Sequence, residues 1–261
     1  MATPRIIYQD NCLLVLDKPA GLVVDKSNTS KEKALEDILK EDYKIELFRG
    51  GIVHRLDKDT SGILLVAKTQ KSLENLQNQF QERTVKKEYV ALVHGEVLQP
   101  GVVEGSIGRN PGNREKFTVL EEGKEAETEY QPISNSQFSI LNLQSIFNNF
   151  NKIQMRKLER MLYNQFTLLK CLPKTGRTHQ IRVHLKYINH PIVSDEKYAG
   201  RKMYRLDKRW CPRMFLHAQK IGFKHPETGD WMELESNLPE DLKKALRNLS
   251  QKLKSQKLKV W

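Results

Sequence analysis

Only three of the 261 residues are cysteine, Cys12, Cys171 and Cys211. Three scattered thiols do not make a disulfide framework, and none stands in a C-x-x-C or beside a histidine at zinc-ligand spacing. The expectations are a reducing compartment, the cytoplasm, and no metal. Long apolar runs are also missing: no window approaches the about 18 uninterrupted apolar residues of a membrane span. The opening MATPRIIYQDN has no apolar core of the kind a signal peptide carries. Acidic charge is scarce, with 32 Asp and Glu against 44 Lys and Arg, which leaves a net charge of +12. Such a balance favours a polyanionic partner, nucleic acid before an anionic membrane face.

Periodic apolar segments run through the chain and argue against wholesale disorder. The opening reads as strands and turns: Ile6 to Tyr8, Leu13 to Leu16, a Lys18-Pro19-Ala20-Gly21 turn, then Leu22 to Val24. A helix is expected from about Ser30 to Leu39, with Ala34, Leu35, Ile38 and Leu39 on one face. Gly50-Gly51 precede Ile52-Val53, a charged turn and the run Ile63 to Val66, a hairpin pattern. Ser72 is placed to cap a helix carrying Leu73, Leu76 and Phe80. Val90 to Val93 read as a buried strand, Lys116 to Glu121 and Phe166 to Leu172 as further strands, and Gln180 to Ile188 as a helix. Residues 135 to 164 differ in composition, rich in Asn and Gln, with Ile153, Leu158, Met161 and Leu162 spaced for one face of a short basic helix. From Pro239 the chain is Lys-rich and amphipathic. With no internal repeat and no long linker, one α+β catalytic domain over residues 1–248, an insertion at about 135–164 and a basic tail over 249–261 is the simplest partition.

Chemistry concentrates in two stretches. The first is Val53-His54-Arg55-Leu56-Asp57-Lys58-Asp59-Thr60-Ser61-Gly62, followed by Ile63 to Val66. Turn preferences explain Asp59 to Gly62. They give no reason for His54-Arg55 beside Asp57, a carboxylate held where a tight turn meets a strand. The second stretch is Lys174-Thr175-Gly176-Arg177-Thr178-His179-Gln180-Ile181-Arg182-Val183-His184-Leu185. Ile181, Leu185 and Ile188 point to a core, which leaves Arg177, Arg182 and the histidines for other faces or for an anion at the helix start. Tyr89, read alone, is a core residue of an alternating strand.

The first stretch resembles the HRLDxxTSG signature of the RluA-type RNA pseudouridine synthases, and the second resembles that family's GRTHQIRxHL motif. The likeness extends in order through Lys18 to Val24, Lys87 to Ala91, Gly108 to Lys116, Lys124 to Ala126, His190 to Ile192, Leu216 to Ala218 and His225-Pro226. Many members begin with an S4-type RNA-binding domain; here the likeness to the catalytic domain starts within the first ten residues, so a member without an N-terminal S4 domain is expected, and the insertion at 135–164 falls outside the likeness. The resemblance implies a mixed, mostly antiparallel central sheet flanked by helices and loops, with an active-site cleft across the sheet. It implies an isomerase that converts uridine in ribosomal or transfer RNA to pseudouridine without a cofactor, and a monomer. Asp57 matches the catalytic aspartate, Arg182 the basic residue paired with it, and Tyr89 the tyrosine expected to stack on uracil and to help at C5. A carboxylate suits the cation-like sugar formed when the bond at C1′ breaks, either as nucleophile or as base. His54 and Arg55 would fill the space left by a flipped uridine. Thr60, Arg177, His179 and Ile181 belong to the same matched motifs and are expected at the substrate.

Between Tyr198 and Arg213 the chain has Arg201, Lys202, Arg205, Lys208, Arg209 and Arg213 against the single acid Asp207, interleaved with Tyr198, Tyr204 and Trp210. Read as a loop, this stretch would meet phosphates with Arg201, Arg205 and Arg209 and stack bases on its aromatics. His94, His190 and His225 read as structural. The competing readings are a non-catalytic RNA-binding or assembly module on the same fold, and a hydrolase that would release free uracil.

Overall fold

The computed structural model describes residues 3–26, 33–140, 147, 149–160, 163 and 165–251. The apolar runs at the start form β1 (Arg5–Gln9) and β2 (Leu13–Lys18), antiparallel to each other. Leu22 and Val24 are buried but form no strand. The carbonyls of Val23 and Val24 instead accept the N–H groups of Leu35 and Glu36, donors left open at a helix start. That helix, α1 (Leu35–Tyr43), begins later and runs further than the apolar spacing predicts. Residues 30–32 of the expected span lie outside the described residues.

The run Ser61–Ala67 is β3, buried at every position. Its ladder partner is β2, so the expected hairpin with Ile52-Val53 shrinks to a single bridge between Ile52 and Val66. α2 (Gln70–Gln81) is capped by Thr69 rather than Ser72. Ser72 occupies the third helical position, where its N–H donates to Thr69 Oγ1 and its Oγ accepts from Thr69 N, both at 3.2 Å. This reciprocal pair is a capping box, shifted three residues from the expected cap. β4 (Lys86–His94) follows, then β5 (Gly101–Glu104), β6 (Ile107–Asn110), β7 (Asn113–Val119) and β8 (Glu127–Ile140). α3 (Lys152–Arg160) is the basic helix expected in the insertion; Met161 and Leu162 lie outside the described residues. β9 (Gln165–Pro173), α4 (Gln180–Tyr187), α5 (Arg201–Asp207), β10 (Leu216–Lys224), β11 (Trp231–Glu235), α6 (Glu240–Arg247) and β12 (Leu249–Gln251) complete the order.

The chain divides into two compact units, residues 1–89 with 216–238, and residues 90–215 with 239–261. The first unit carries the strand order β1-β2-β3-β10-β11, with β3 and β10 parallel and the other neighbours antiparallel. Gly62 stands where β3 and β10 come closest. It holds φ +117°, and a Cβ there would lie 2.2 Å from the Ala218 carbonyl oxygen, so no larger residue fits. Two apolar clusters cover the faces of these strands, one with α1 and one with α2.

In the second unit β8 pairs antiparallel with β5, β9 and β12, and β6 with β7 in a separate ribbon. Leu242 and Ala245 of α6 are fully buried, and β12 joins β8, so the start of the expected tail is built into this unit. The stretch after Tyr198 is the helix α5, not a loop. Tyr198 and Trp210 are buried, which removes both rings from the set available to stack on RNA bases. The α+β class with mostly antiparallel pairing, expected from the sequence, is what the strands show.

Candidate active site

Asp57 lies half-buried in the turn that leads into β3. The turn closes through Thr60 N–H donating to the Asp57 carbonyl at 3.1 Å. Its base is held by Lys18, which the sequence pattern places in a turn and in the family likeness without giving it a role. Lys18, at the end of β2, is fully buried, and its Nζ donates to the carbonyls of Pro19 (2.9 Å), Leu22 (2.9 Å) and Lys58 (3.1 Å). Gly21 N–H reaches the same Lys58 carbonyl at 2.8 Å. A buried ammonium is stable only when its protons are taken up, and here they tie the peptide next to Asp57 to the end of β2. A lysine closing a run of apolar strand residues is the signal that could have revealed it.

The far side of the turn is pinned by Ser61, whose Oγ bonds His217 Nδ1 at 2.9 Å while His217 Nε2 bonds the Ser236 carbonyl at 3.0 Å. The carbonyl can only accept, so the ring proton is on Nε2 and Ser61 is the donor to Nδ1. Thr60 is buried with an Oγ1 that has no hydrogen-bond partner among the described residues.

Tyr89, on β4, packs half-buried against the apolar cluster of the first unit. Burial, reinforced by the negative charge of Asp57, pushes its hydroxyl above the usual phenol range. Tyr89 therefore stays protonated, as a hydrogen-bond donor. Lys87, two residues earlier and on the same face of the strand, has its ammonium pushed down to about 8 by burial.

His54 and Arg55 divide. His54 stacks on Phe80 (centroids 4.8 Å apart), and its Nε2 accepts the Leu65 N–H at 3.0 Å. Burial, then the charge of Lys87, hold its pKa down at about 3, so the ring is neutral. This ring braces β3 and is not available to fill a vacated base stack. Arg55 is exposed and pairs with Asp25 at 3.0 Å, a carboxylate also bound by Arg49.

The GRTHQIR stretch is knit tightly within the second unit. Gln180 Oε1 accepts from Thr175 Oγ1 (2.6 Å) and Arg177 N (2.9 Å), and its Nε2 donates to Glu127 O (2.8 Å) and Thr128 Oγ1 (3.0 Å). His184, fully buried, bonds Thr128 Oγ1 and Gly105 O. Gln180 and His184 are thus framework of the motif. Ile181 is buried core, and Arg177 Nε donates to Glu125 O at 2.9 Å.

Arg182 is buried, and its Nε and Nη2 meet the two oxygens of Asp195 at 2.8 and 2.9 Å. Its guanidinium lies over the Tyr198 ring, 5.0 Å from the centroid. The Tyr198 hydroxyl accepts from Phe117 N (3.0 Å) and shares a hydrogen bond with His179 Nδ1 (2.8 Å). His179 sits at φ +57° at the N-cap of α4. Arg182, Asp195, Tyr198 and His179 form one connected group. Arg201, Arg205 and Arg209 are exposed on or just after α5.

Asp10, Cys12 and His225 bring three potential metal-ligand atoms within 4.8 Å of one another. The N–H groups of Glu227 and Thr228 point at His225 Nδ1 (3.4 and 3.2 Å), which places the ring proton on Nε2, donating to Asp10 Oδ2 at 2.8 Å. Burial and the Asp10 charge push the Cys12 thiol up to about 12. The three side chains join the β1–β2 turn to the residue after β10 by hydrogen bonds.

The family model described as RNA pseudouridylate synthase matches residues 12–187. The chain is 38% identical over 251 residues to an "Uncharacterized RNA pseudouridine synthase YlyB" of Bacillus subtilis, covering 94% of this chain and 72% of that one. It is 39% identical over 258 residues to a "Ribosomal large subunit pseudouridine synthase D" of Nitrosomonas europaea, covering 94% of this chain and 66% of the relative. Among solved structures, "Human RNA Pseudouridylate Synthase Domain Containing 1" superposes with a TM-score of 0.72 at 24% identity, covering 98% of this chain and 91% of that one.

Proposed function

Since the chain belongs to the RNA pseudouridine synthase family, we propose that Asp57 is the carboxylate of a uridine isomerisation carried out on large-subunit ribosomal RNA. The protein is an isomerase acting on RNA; the choice of ribosomal RNA follows the printed names of several relatives. In the reaction the N1–C1′ bond breaks, the uracil turns, and a C5–C1′ bond forms. The proton lost from C5 is balanced by one gained at N1. Positive charge grows at C1′ as the first bond breaks, and a fixed carboxylate answers it without reorganising at that moment.

The observation that carries this reading is the mounting of Asp57. The turn is clamped from one side by the Lys18 ammonium and from the other by the Ser61–His217 pair, and the Asp57 charge falls on the protonated Tyr89. A neutral phenol beside the uracil donates a hydrogen bond and covers a base face. It is not a standing phenolate base, so a proton leaving C5 is accepted elsewhere or passed through the hydroxyl. Arg182 serves the same reaction with a guanidinium that Asp195 and Tyr198 hold in one orientation. The Thr60 hydroxyl, without a partner among the described residues, is reserved for substrate.

The test uses unmodified large-subunit ribosomal RNA labelled with tritium at uridine C5. Wild type releases tritium to water, and Asp57→Ala stops the release while leaving RNA binding within about twofold. Absence of release by wild type from this RNA and from transfer RNA overturns the reading. Free uracil among the products would indicate a hydrolase instead.

A further inference from the structure

Within the second unit, α3 of the insertion and α5 flank an open groove of about 680 Å³, inside the range of about 300–1,000 Å³ typical of ligand sites. Lys157, Lys202, Arg205, Lys208 and Arg209 line it together with Phe150, and none of the described lining residues is acidic. Like charges gathered around one concavity repel each other, and a polyanion relieves that repulsion by exchanging its own counterions for them.

The one acid of α5, Asp207, is fully buried and turns into the core. Its Oδ1 accepts from the Tyr163 hydroxyl at 2.8 Å, and its Oδ2 accepts from Ser194 N (2.8 Å) and His94 Nε2 (3.0 Å). Trp210 Nε1 donates to the same Tyr163 oxygen at 3.0 Å. Tyr163 belongs to the insertion, and Asp207 closes α5. The hydrogen bond between them, with the buried side chains of Phe147 and Leu158, fixes both walls of the groove. The Asp207 charge is thus taken up inside, while Lys157, Lys202, Arg205, Lys208 and Arg209 line the groove.

The groove also has a flat platform. The Arg209 guanidinium lies over Phe150 at 4.9 Å and over Phe147 at 5.4 Å from the ring centroids. Phe150 is half-buried and shares the groove lining with Arg209. A guanidinium stacked on an aromatic ring presents the plane on which unpaired bases stack, and the surrounding cations suit the phosphates on either side of such a base.

We propose that this groove is a second RNA-binding site, which takes a single-stranded or looped stretch of the substrate RNA away from the reacting uridine. Phosphates meet Lys157 and Arg205, and an unpaired base stacks at Arg209 and Phe150. The insertion is then a target-recognition element. This rests on the reading of the protein as a synthase of ribosomal RNA, and the test separates the two.

The full chain is assayed on unmodified large-subunit ribosomal RNA for affinity across a salt series, and for kcat and KM by tritium release. The variants are the double reversal Lys157→Glu with Arg205→Glu, its neutral counterpart Lys157→Gln with Arg205→Gln, and Phe150→Ala. These side chains are exposed or half-buried, and thermal melting checks that each variant folds. The reversal raises Kd and KM at least tenfold with kcat unchanged. The neutral pair lowers the slope of log affinity against log salt by about 1.4 to 1.8 for two lost phosphate contacts. Phe150→Ala weakens binding about fivefold or more with an unchanged salt slope, as loss of stacking does. Unchanged Kd, KM and salt slope in all three variants overturn the site, as they would if the groove served an acidic protein. If wild type proves inactive while the reversal still weakens RNA binding, the synthase reading fails and the groove stands.

Discussion

The charge of Asp57 reaches the hydroxyl of Tyr89, and burial and charge act on it in the same direction. Removing the charge while keeping the shape therefore makes Tyr89 easier to ionise. In Asp57→Asn the ultraviolet titration of Tyr89, isolated as the difference from a Tyr89→Phe background, moves to lower pH. It remains above the ordinary phenol value of about 10, because burial, the larger cause, is untouched. An unmoved titration would separate the two side chains electrostatically.

Lys87 and His54 give stability a pH signature. Burial lowers the Lys87 ammonium to about 8, whereas the unfolded chain titrates near about 10.4. Between these values the unfolded state holds more protons, so this group makes stability rise with pH from about 8 to about 10. The urea midpoint of wild type should climb over that window relative to Lys87→Met. His54, held at about 3 by burial, acts at the other end. Its contribution is present above about 6.5 and fades as pH falls toward 3, since the unfolded ring takes a proton that the folded ring refuses. His54→Gln should flatten the acid limb.

Thr60 carries a buried hydroxyl without a partner among the described residues, an arrangement that costs about 1–3 kcal/mol. Thr60→Val keeps the branched shape and removes the oxygen. Melting temperature should hold or rise while kcat/KM on ribosomal RNA falls. A variant with unchanged kcat/KM would show that the hydroxyl has no duty toward substrate.

Arg182 meets both oxygens of Asp195 through a planar fork, which a lysine does not reproduce. Breaking such a buried pair is worth about 3 kcal/mol. Arg182→Lys should lose stability on that order in urea unfolding, with turnover down at least tenfold. Asp195→Asn should lose at least as much, because it leaves the buried Arg182 charge uncompensated and turns an NH2 group toward N–H donors.

Local pattern was legible where one face or both faces of an element are apolar. The runs Ile63 to Val66 of β3 and Leu73, Leu76 and Phe80 of α2 were readable from spacing alone, whereas Asp57 and Arg182 were singled out by the likeness of the HRLD and GRTHQIR stretches to family motifs, and Tyr89 by the likeness of Lys87 to Ala91. What spacing concealed depends on partners distant in the chain. Leu22 to Val24 look like a strand, but the Leu22 carbonyl accepts from Lys18 and those of Val23 and Val24 serve α1. Ser72 looks like a cap, but Thr69 precedes it in the same reciprocal pair. The stretch after Tyr198 looked like a solvated basic loop because its polar residues dominate the count. Asp207 turns inward to Tyr163 and His94, and Tyr198 and Trp210 follow it into the core. His54 beside Asp57 reads as chemistry, yet its hydrogen bond to Leu65 makes it part of the frame.

Lys18 has a consequence for chemical labelling. Its ammonium is fully buried and divided among three carbonyls, so an amine-directed reagent that coats the outer lysines will leave it unmodified in the native protein. It becomes reactive only when the Asp57 turn opens. The rate at which Lys18 takes up label, followed by mass spectrometry, is therefore a clock for the opening of that turn.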